Sequence, residues 1–276
     1  MKDMRDFIRE AEEAGMLHRI KAEVDWDLEL SHIAKMNEEK LGPALLFENV
    51  KGYDSPVITS VCTTTQRLAL IMGEPEESTL VDLMRVWVDK KEDMVAPKWV
   101  ETGPCKENKM MGDEVDLFKF PAPKFYPLDG GRYFGTAHFV VTKDPDSGWV
   151  NIGTYRLQLL DKNHLGTQFI KGKHSDIMLK KYQALKKPMP VVAVVGCDPL
   201  LFLMGAARLS AFESEFDLAG AIRGGPIEIV KAETSDLPVP ATAEIVVEGR
   251  VCAPSSQGQG KSIRGCRSEM FSLPGD

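Results

Sequence analysis

Residues 134–160 read FGTAHFVVTKDPDSGWVNIGTYRLQLL. Runs rich in Val, Ile, Phe, Tyr and Thr stand at both ends, and the DPDSG between them is a turn signal, so the stretch predicts two strands that return on each other. Three more strand-like runs lie downstream: MPVVAVVG (189–196), PIEIVKAET (226–234) and TAEIVVEGRV (242–251). Helical patterns separate them, in HSDIMLKKYQALKK (174–187) and DPLLFLMGAARL (198–209). Strands returning through turns of this kind favour a barrel or a strongly coiled sheet over a sandwich.

Upstream the pattern changes. Met4, Phe7, Ile8 and Ala11 share one face at helical spacing, with Gly15 as the stop. HRIKAEVDWDLELSHIAKMN alternates briefly and then turns helical, PALLFENV and SPVITSVC read as short strands, and TTQRLALIMG reads as a helix closed by Gly73. Strands alternating with helices imply an α/β unit. Between about residues 90 and 125 the chain is rich in Lys, Pro and Gly, and a boundary is placed there. The expected organisation is an N-terminal α/β domain over 1–110, a β-rich domain over 111–252 and an irregular tail over 253–276, an α+β chain as a whole.

Composition excludes little else. Charged residues make up 27% and hydrophobic residues 43%, as in ordinary globular proteins. The net charge of −7 argues against a general nucleic-acid surface. No apolar run is long enough to span a membrane, and the N-terminus interleaves charges where a signal peptide needs an apolar core. Stable membrane insertion is not expected, and a cytoplasmic protein is. Cys62, Cys105, Cys197, Cys252 and Cys266 lack close pairing and CxxC spacing, which predicts reduced thiols.

Three residue types stand out as chemistry-bearing: Asn151, His174 and the glutamates of FESEFDLAGAIRGGP, Glu215 among them. An amide oxygen, an imidazole nitrogen and a carboxylate suit Mn²⁺ or Mg²⁺ better than zinc and leave positions for a phosphate. Each residue also has a plain reading: Asn151 as a turn residue, His174 as a surface residue, Glu215 as a carboxylate near a helix cap. Arg156 is five positions from Asn151, and on a regular strand the two point to opposite faces. They share a site only if Gly153 permits a bulge or Asn151 lies in the loop leading into the strand; otherwise Arg156 is an exterior arginine. MGAARLS offers small residues for close backbone approach, or simple core. The loop DGGRYFG has neither dinucleotide nor P-loop spacing.

Taken in order, NIGTYRLQ, GKH, SEFDLAGAIRG and VPATAEIVVEG resemble the UbiD family of prenylated-FMN-dependent decarboxylases, and the likeness covers nearly everything from residue 1 to about 251. The resemblance implies a split β-barrel similar to flavin reductases, holding prenylated FMN whose phosphate is tied through Mn²⁺ (or Mg²⁺) and K⁺. It carries the metal ligands onto Asn151, His174 and Glu215. The catalytic arginine falls on Arg156, and the flavin-lining stretch on Gly205, Ala206, Ala207 and Arg208. Ile152, Gly153, Thr154, Tyr155 and Lys173 fall among the cofactor-binding positions. The implied activity is the removal, or reversible addition, of CO₂ on an aromatic or α,β-unsaturated carboxylic acid, with a flavin prenyltransferase supplying the cofactor and a homo-oligomer as the family's assembly.

One family motif has no counterpart. The acid E-x-x-x-x-E pair expected soon after EIVVEGRV is absent, and Glu269 is the residue that can stand for its second glutamate. The family's C-terminal α/β domain has no counterpart in these residues either. The expectation is therefore a decarboxylase whose C-terminal part is missing, or a truncated, non-catalytic cofactor-binding subunit or fragment.

Overall fold

The computed structural model describes residues 1–251 and the backbone of 269–272. Helix α1 (Met4–Glu13) buries Phe7 and Ala11 and is capped by Asp3, whose side chain accepts from the Asp6 N–H. The chain turns at Gly15, with φ +69°, into β1 (Leu17–Ile20). Helix α2 (Glu29–Glu39) carries the chain across to β2 (Ala44–Phe47), the crossover that a parallel pair requires. Strand β3 (Val57–Thr59) adds antiparallel, giving a small sheet in the order β1-β2-β3. Helix α3 (Thr65–Met72) ends at left-handed Gly73, as its sequence predicts. Helix α4 (Leu80–Lys90), opened by a capping box between Thr79 and Asp82, and the short β4 (Lys98–Trp99) were not anticipated.

Beyond residue 130 follow β5 (Tyr133–Gly135), β6 (His138–Lys143), β7 (Val150–Gly153), β8 (Leu157–Leu159) and β9 (His164–Thr167). Then come α5 (His174–Ala184), β10 (Met189–Val195), α6 (Pro199–Ala206), α7 (Glu215–Arg223), β11 (Glu228–Lys231), β12 (Pro238–Pro240), β13 (Ile245–Val251) and β14 (Glu269–Ser272). Eight of these strands form one antiparallel sheet in the order β5-β8-β9-β14-β13-β10-β6-β7. Its end strands, β5 and β7, are not paired with each other, so among the described residues the sheet is open and no closed barrel forms. PIEIVKAET does not join this sheet: β11 pairs with β12 and, in parallel, with β4.

Side chains along the central strands alternate between two buried clusters. Phe139 and Val141 of β6 and Val192 and Val194 of β10 belong to one apolar cluster, with α6, α7 and the N-terminal residues Phe7, Ala44 and Ile71. Val140, Val191 and Ala193 belong to a second cluster, covered by Met178 and Leu179 of α5. Successive residues point to opposite faces and both faces are buried, so VVAVV reads as an unbroken apolar run. Of the tail, residues 252–268 and 273–276 lie outside the described residues, and with them Cys252 and Cys266. Cys62, Cys105 and Cys197 are free thiols.

Candidate functional site

Strand β7 sets Asn151 opposite Thr142 of β6, with 3% of the residue exposed. Asn151 is therefore neither a turn residue nor in the loop before the strand. Its Oδ1 lies 2.9 Å from Nδ1 of His174, the first residue of α5. Trp149 stands edge-on to the His174 ring with centroids 4.8 Å apart, and its Nε1–H donates to the Glu213 carbonyl at 2.8 Å. That contact ties the start of β7 to the approach of α7. There Ser214 caps the helix by accepting from the Asp217 N–H at 3.3 Å, which makes Glu215 its first residue. The Glu215 carboxylate, 3% exposed, accepts from the Ile152 N–H at 3.1 Å. Asn151 and His174 thus meet side chain to side chain, and the Glu215 carboxylate reaches the backbone of Ile152, the residue after Asn151.

The electrostatics of the three are unbalanced. Burial, with smaller contributions from Glu213 and Asp217, pushes the Glu215 carboxyl up to about 7. Burial and then Lys173 hold His174 below the ordinary histidine range, so it is neutral at neutral pH. Asn151 Nδ2 is buried without a hydrogen-bond partner among the described residues. The donor types present, an amide oxygen, a neutral imidazole and a carboxylate, are ones that could hold Mn²⁺ or Mg²⁺, though such an ion would leave the Asn151 Nδ2 donor unanswered. Adjacent corners of an octahedron with bonds of about 2.1 Å stand about 3 Å apart, which the Asn151–His174 spacing matches. Among the described residues no group of three or more His, Cys, Asp or Glu could hold a metal, so any ion here depends on the amide. His174 and Glu215 each open a helix, and a helix N-terminus favours negative charge.

Arg156 lies where the run WVNIGTYRLQLL breaks, between β7 and β8. Its guanidinium stacks over Tyr133, 3.6 Å from the ring centroid, and pairs with Asp129 at 2.8 Å. Gly153 permits the break: a Cβ there would lie 2.7 Å from the Tyr155 ring, which folds back over it. The Thr154 N–H then donates to the Gly205 carbonyl at 3.2 Å, joining this segment to the end of α6. Gly205 is itself pressed against Phe139, while Ala206 and Arg208 beyond it are exposed and Ala207 is half-buried. Lys173 is exposed at the N-cap of α5. Glu269 begins β14 opposite Thr167, and its side chain lies outside the described residues.

A cavity of about 490 Å³ opens at Arg156, lined also by Thr154, Phe125, Tyr126, His138 and Glu38. His138 and Glu38 were not singled out from sequence. His138 Nε2 lies 2.7 Å from the Tyr155 carbonyl and so carries the proton, which leaves Nδ1 a buried acceptor without a partner among the described residues. Burial pushes its pKa down to about 4 and keeps it neutral. A histidine inside the apolar run HFVVT was the available signal for it. Glu38 arrives from α2, far away in sequence, and nothing local marks it.

Comparison with known proteins gives a consistent result. The family model described as the 3-octaprenyl-4-hydroxybenzoate carboxy-lyase Rift-related domain, UbiD, matches residues 98–262. The corresponding N-terminal domain model matches residues 8–87. Pyrrole-2-carboxylic acid decarboxylase of Pseudomonas aeruginosa is 34% identical over 259 residues, covering 90% of this chain and 52% of that protein. The vanillic acid decarboxylase of Sedimentibacter hydroxybenzoicus in closed form superposes with TM-score 0.89 at 30% identity, over 99% of this chain and 61% of that one. An evolved dimeric form of the UbiD-class enzyme HmfF of Pelotomaculum thermopropionicum, in complex with prFMN, gives TM-score 0.87 at 29% identity, over 99% of this chain and 64% of that one. The chain thus spans about half the length of the curated relative and under two thirds of these structures. Among the described residues no helix is long and apolar enough to cross a membrane.

Proposed function

Because this chain belongs to the UbiD family of 3-octaprenyl-4-hydroxybenzoate carboxy-lyases, we propose that it takes part in removing CO₂ from, or adding it to, an aromatic or α,β-unsaturated carboxylic acid, with prenylated FMN as cofactor. The observation that carries this reading is the Asn151–His174 contact beside the buried Glu215 carboxyl, which has no counter-charge among the described residues. These three residues would hold Mn²⁺ or Mg²⁺, with K⁺ as a further ion, and would so help to retain the flavin phosphate. The large antiparallel sheet serves as the split barrel around the flavin, and a flavin prenyltransferase supplies the cofactor. When bound, prenylated FMN supplies the conjugated ring system that accepts the charge left when CO₂ departs.

The chain's own residues bind, orient and exclude. Arg156 receives the substrate carboxylate, its plane fixed by the stack on Tyr133. Thr154 and Gly205 bring backbone close to the flavin, Ile152 and Tyr155 wall the site, and Lys173 adds positive charge at the phosphate end. His138, neutral and buried, forms part of the cavity wall. The returning proton requires an acid, for which Glu269 is the candidate. Residues 250–276 contain no E-x-x-x-x-E pair, and this favours a second reading in which the chain holds flavin and ion without turnover.

The test is CO₂ release from pyrrole-2-carboxylate, 4-hydroxy-3-methoxybenzoate and cinnamate by chain produced together with a flavin prenyltransferase. Release that is lost in Arg156→Lys supports the first reading. Flavin and ion held at full occupancy with no release from any acid supports the second, and no flavin bound by folded chain contradicts both.

A further inference from the structure

A second cavity, of about 390 Å³, lies in the N-terminal region and shares no lining residue with the Arg156 cavity. Gly15 of the α1–β1 turn, Gly42 and Pro43 of the α2–β2 turn, and Thr64, Gln66 and Arg67 at the start of α3 line it. Arg67 is 2% exposed, yet its Nε and Nη2 have no hydrogen-bond partner among the described residues. A guanidinium buried in this way without a counter-charge is strongly unfavourable.

The neighbours do not supply that charge. Cys62 faces Arg67, but burial pushes its thiol up to about 11, so no thiolate is present at neutral pH. Glu38 is close enough to act on Arg67 electrostatically, but its carboxylate accepts from Ser60 Oγ at 3.1 Å and makes no ion pair with the guanidinium. Burial therefore dominates, and it holds Arg67 below the ordinary arginine range. The same cavity meets the N-terminus of an eight-residue helix. Thr64 Oγ1 accepts the Arg67 N–H at 3.4 Å, and the preceding amides of the turn have no intrahelical acceptor.

We propose that this cavity is a binding site for a small carboxylate- or phosphate-bearing molecule, its oxyanion seated on the Arg67 guanidinium and the first amides of α3. A guanidinium fork presents parallel N–H donors that match either group, and a helix N-terminus favours negative charge. Glu76 is exposed at the rim and repels extended polyanions, so the site selects small ions. The proposal does not depend on the flavin reading.

Calorimetric titration of the full chain with sodium phosphate and with sodium acetate, against chloride at matched ionic strength, tests it. Saturable binding of either anion at millimolar concentration or below is expected, and the tighter of the two identifies the group. Arg67→Met should abolish that binding. Gln66→Glu, at an exposed position of the same turn, should weaken it at least tenfold by placing a carboxylate at the seat. Glu76→Gln should strengthen it severalfold. These last two variants leave the core untouched and decide the question if Arg67→Met does not fold. No saturable binding of either anion, or equal affinity in the wild type, Gln66→Glu and Glu76→Gln, would overturn the proposal.

Discussion

Glu215 carries its charge where water cannot reach it, and this gives the metal-free chain a pH dependence of known sign. Its folded pKa is raised, so the stability it contributes is full below the ordinary glutamate pKa and is lost as pH rises through about 7. His138 and His174, both lowered, work the other way, losing stability as pH falls from the ordinary histidine value. The clean observable is therefore the difference between wild type and Glu215→Gln. Denaturant melts at pH 5 and pH 8, without divalent ions, should show the wild type losing about 2.5 kcal/mol relative to the variant across that range. Adding Mn²⁺ at pH 8 should reverse this for the wild type and leave Glu215→Gln and His174→Ala unmoved. At Arg156 the ion pair with Asp129 competes with any incoming carboxylate. Asp129→Asn should accordingly lower KM severalfold in a turnover assay while leaving kcat within a factor of about two, since freeing the guanidinium strengthens ground-state and transition-state binding alike.

The break between β7 and β8 is the local device on which the site depends. A Cβ at Gly153 would fall within 2.9 Å of two ring atoms and the hydroxyl of Tyr155, whose side chain is buried. Gly153→Ala should cost about 1–3 kcal/mol by overpacking, read from denaturant midpoints, and should reduce metal retention by moving Asn151. Removing the cap of α7 with Ser214→Ala should cost about 1 kcal/mol and loosen Glu215. This break was half legible in the sequence. The five-residue spacing of Asn151 and Arg156, with a glycine between, pointed to an irregularity, and the structure shows two strands rather than one bulged strand. Helices α1, α3, α5 and α6 were legible because their periodicity and stop signals are local. Strand β9 was not, because HLGT is four residues with no apolar alternation to read, and its place is fixed by β8 and β14 on either side. Helix α7 was seen only as a source of carboxylates, because it is buried almost all round and lacks an amphipathic stripe.

At the scale of the molecule, the N-terminal residues Phe7, Ala44 and Ile71 share one apolar cluster with β6, β10, α6 and α7. Arg223 of α7 reinforces the join: its Nε–H donates to Asp198 at the start of α6 at 2.8 Å, and another of its nitrogens donates to the Ile71 carbonyl of α3. Asp198 is 3% exposed, so Asp198→Ala would leave a mostly buried guanidinium unpaired and should cost about 3–5 kcal/mol in thermal or denaturant unfolding. Sequence could place a composition change between residues 90 and 125, but not this contact, because no pattern in either segment refers to the other. The same holds for Glu38, which α2 delivers to the Arg156 cavity. The central claim is that Asn151, His174 and Glu215 hold a divalent ion and, through it, a flavin phosphate. The most direct measurement is native mass spectrometry of the chain purified from cells co-expressing a flavin prenyltransferase with Mn²⁺ supplied. The account predicts a stoichiometric adduct of prenylated FMN and metal on the wild type, lost from His174→Ala and Glu215→Gln. Well-folded wild type without the adduct, or variants that retain it in full, would contradict the account.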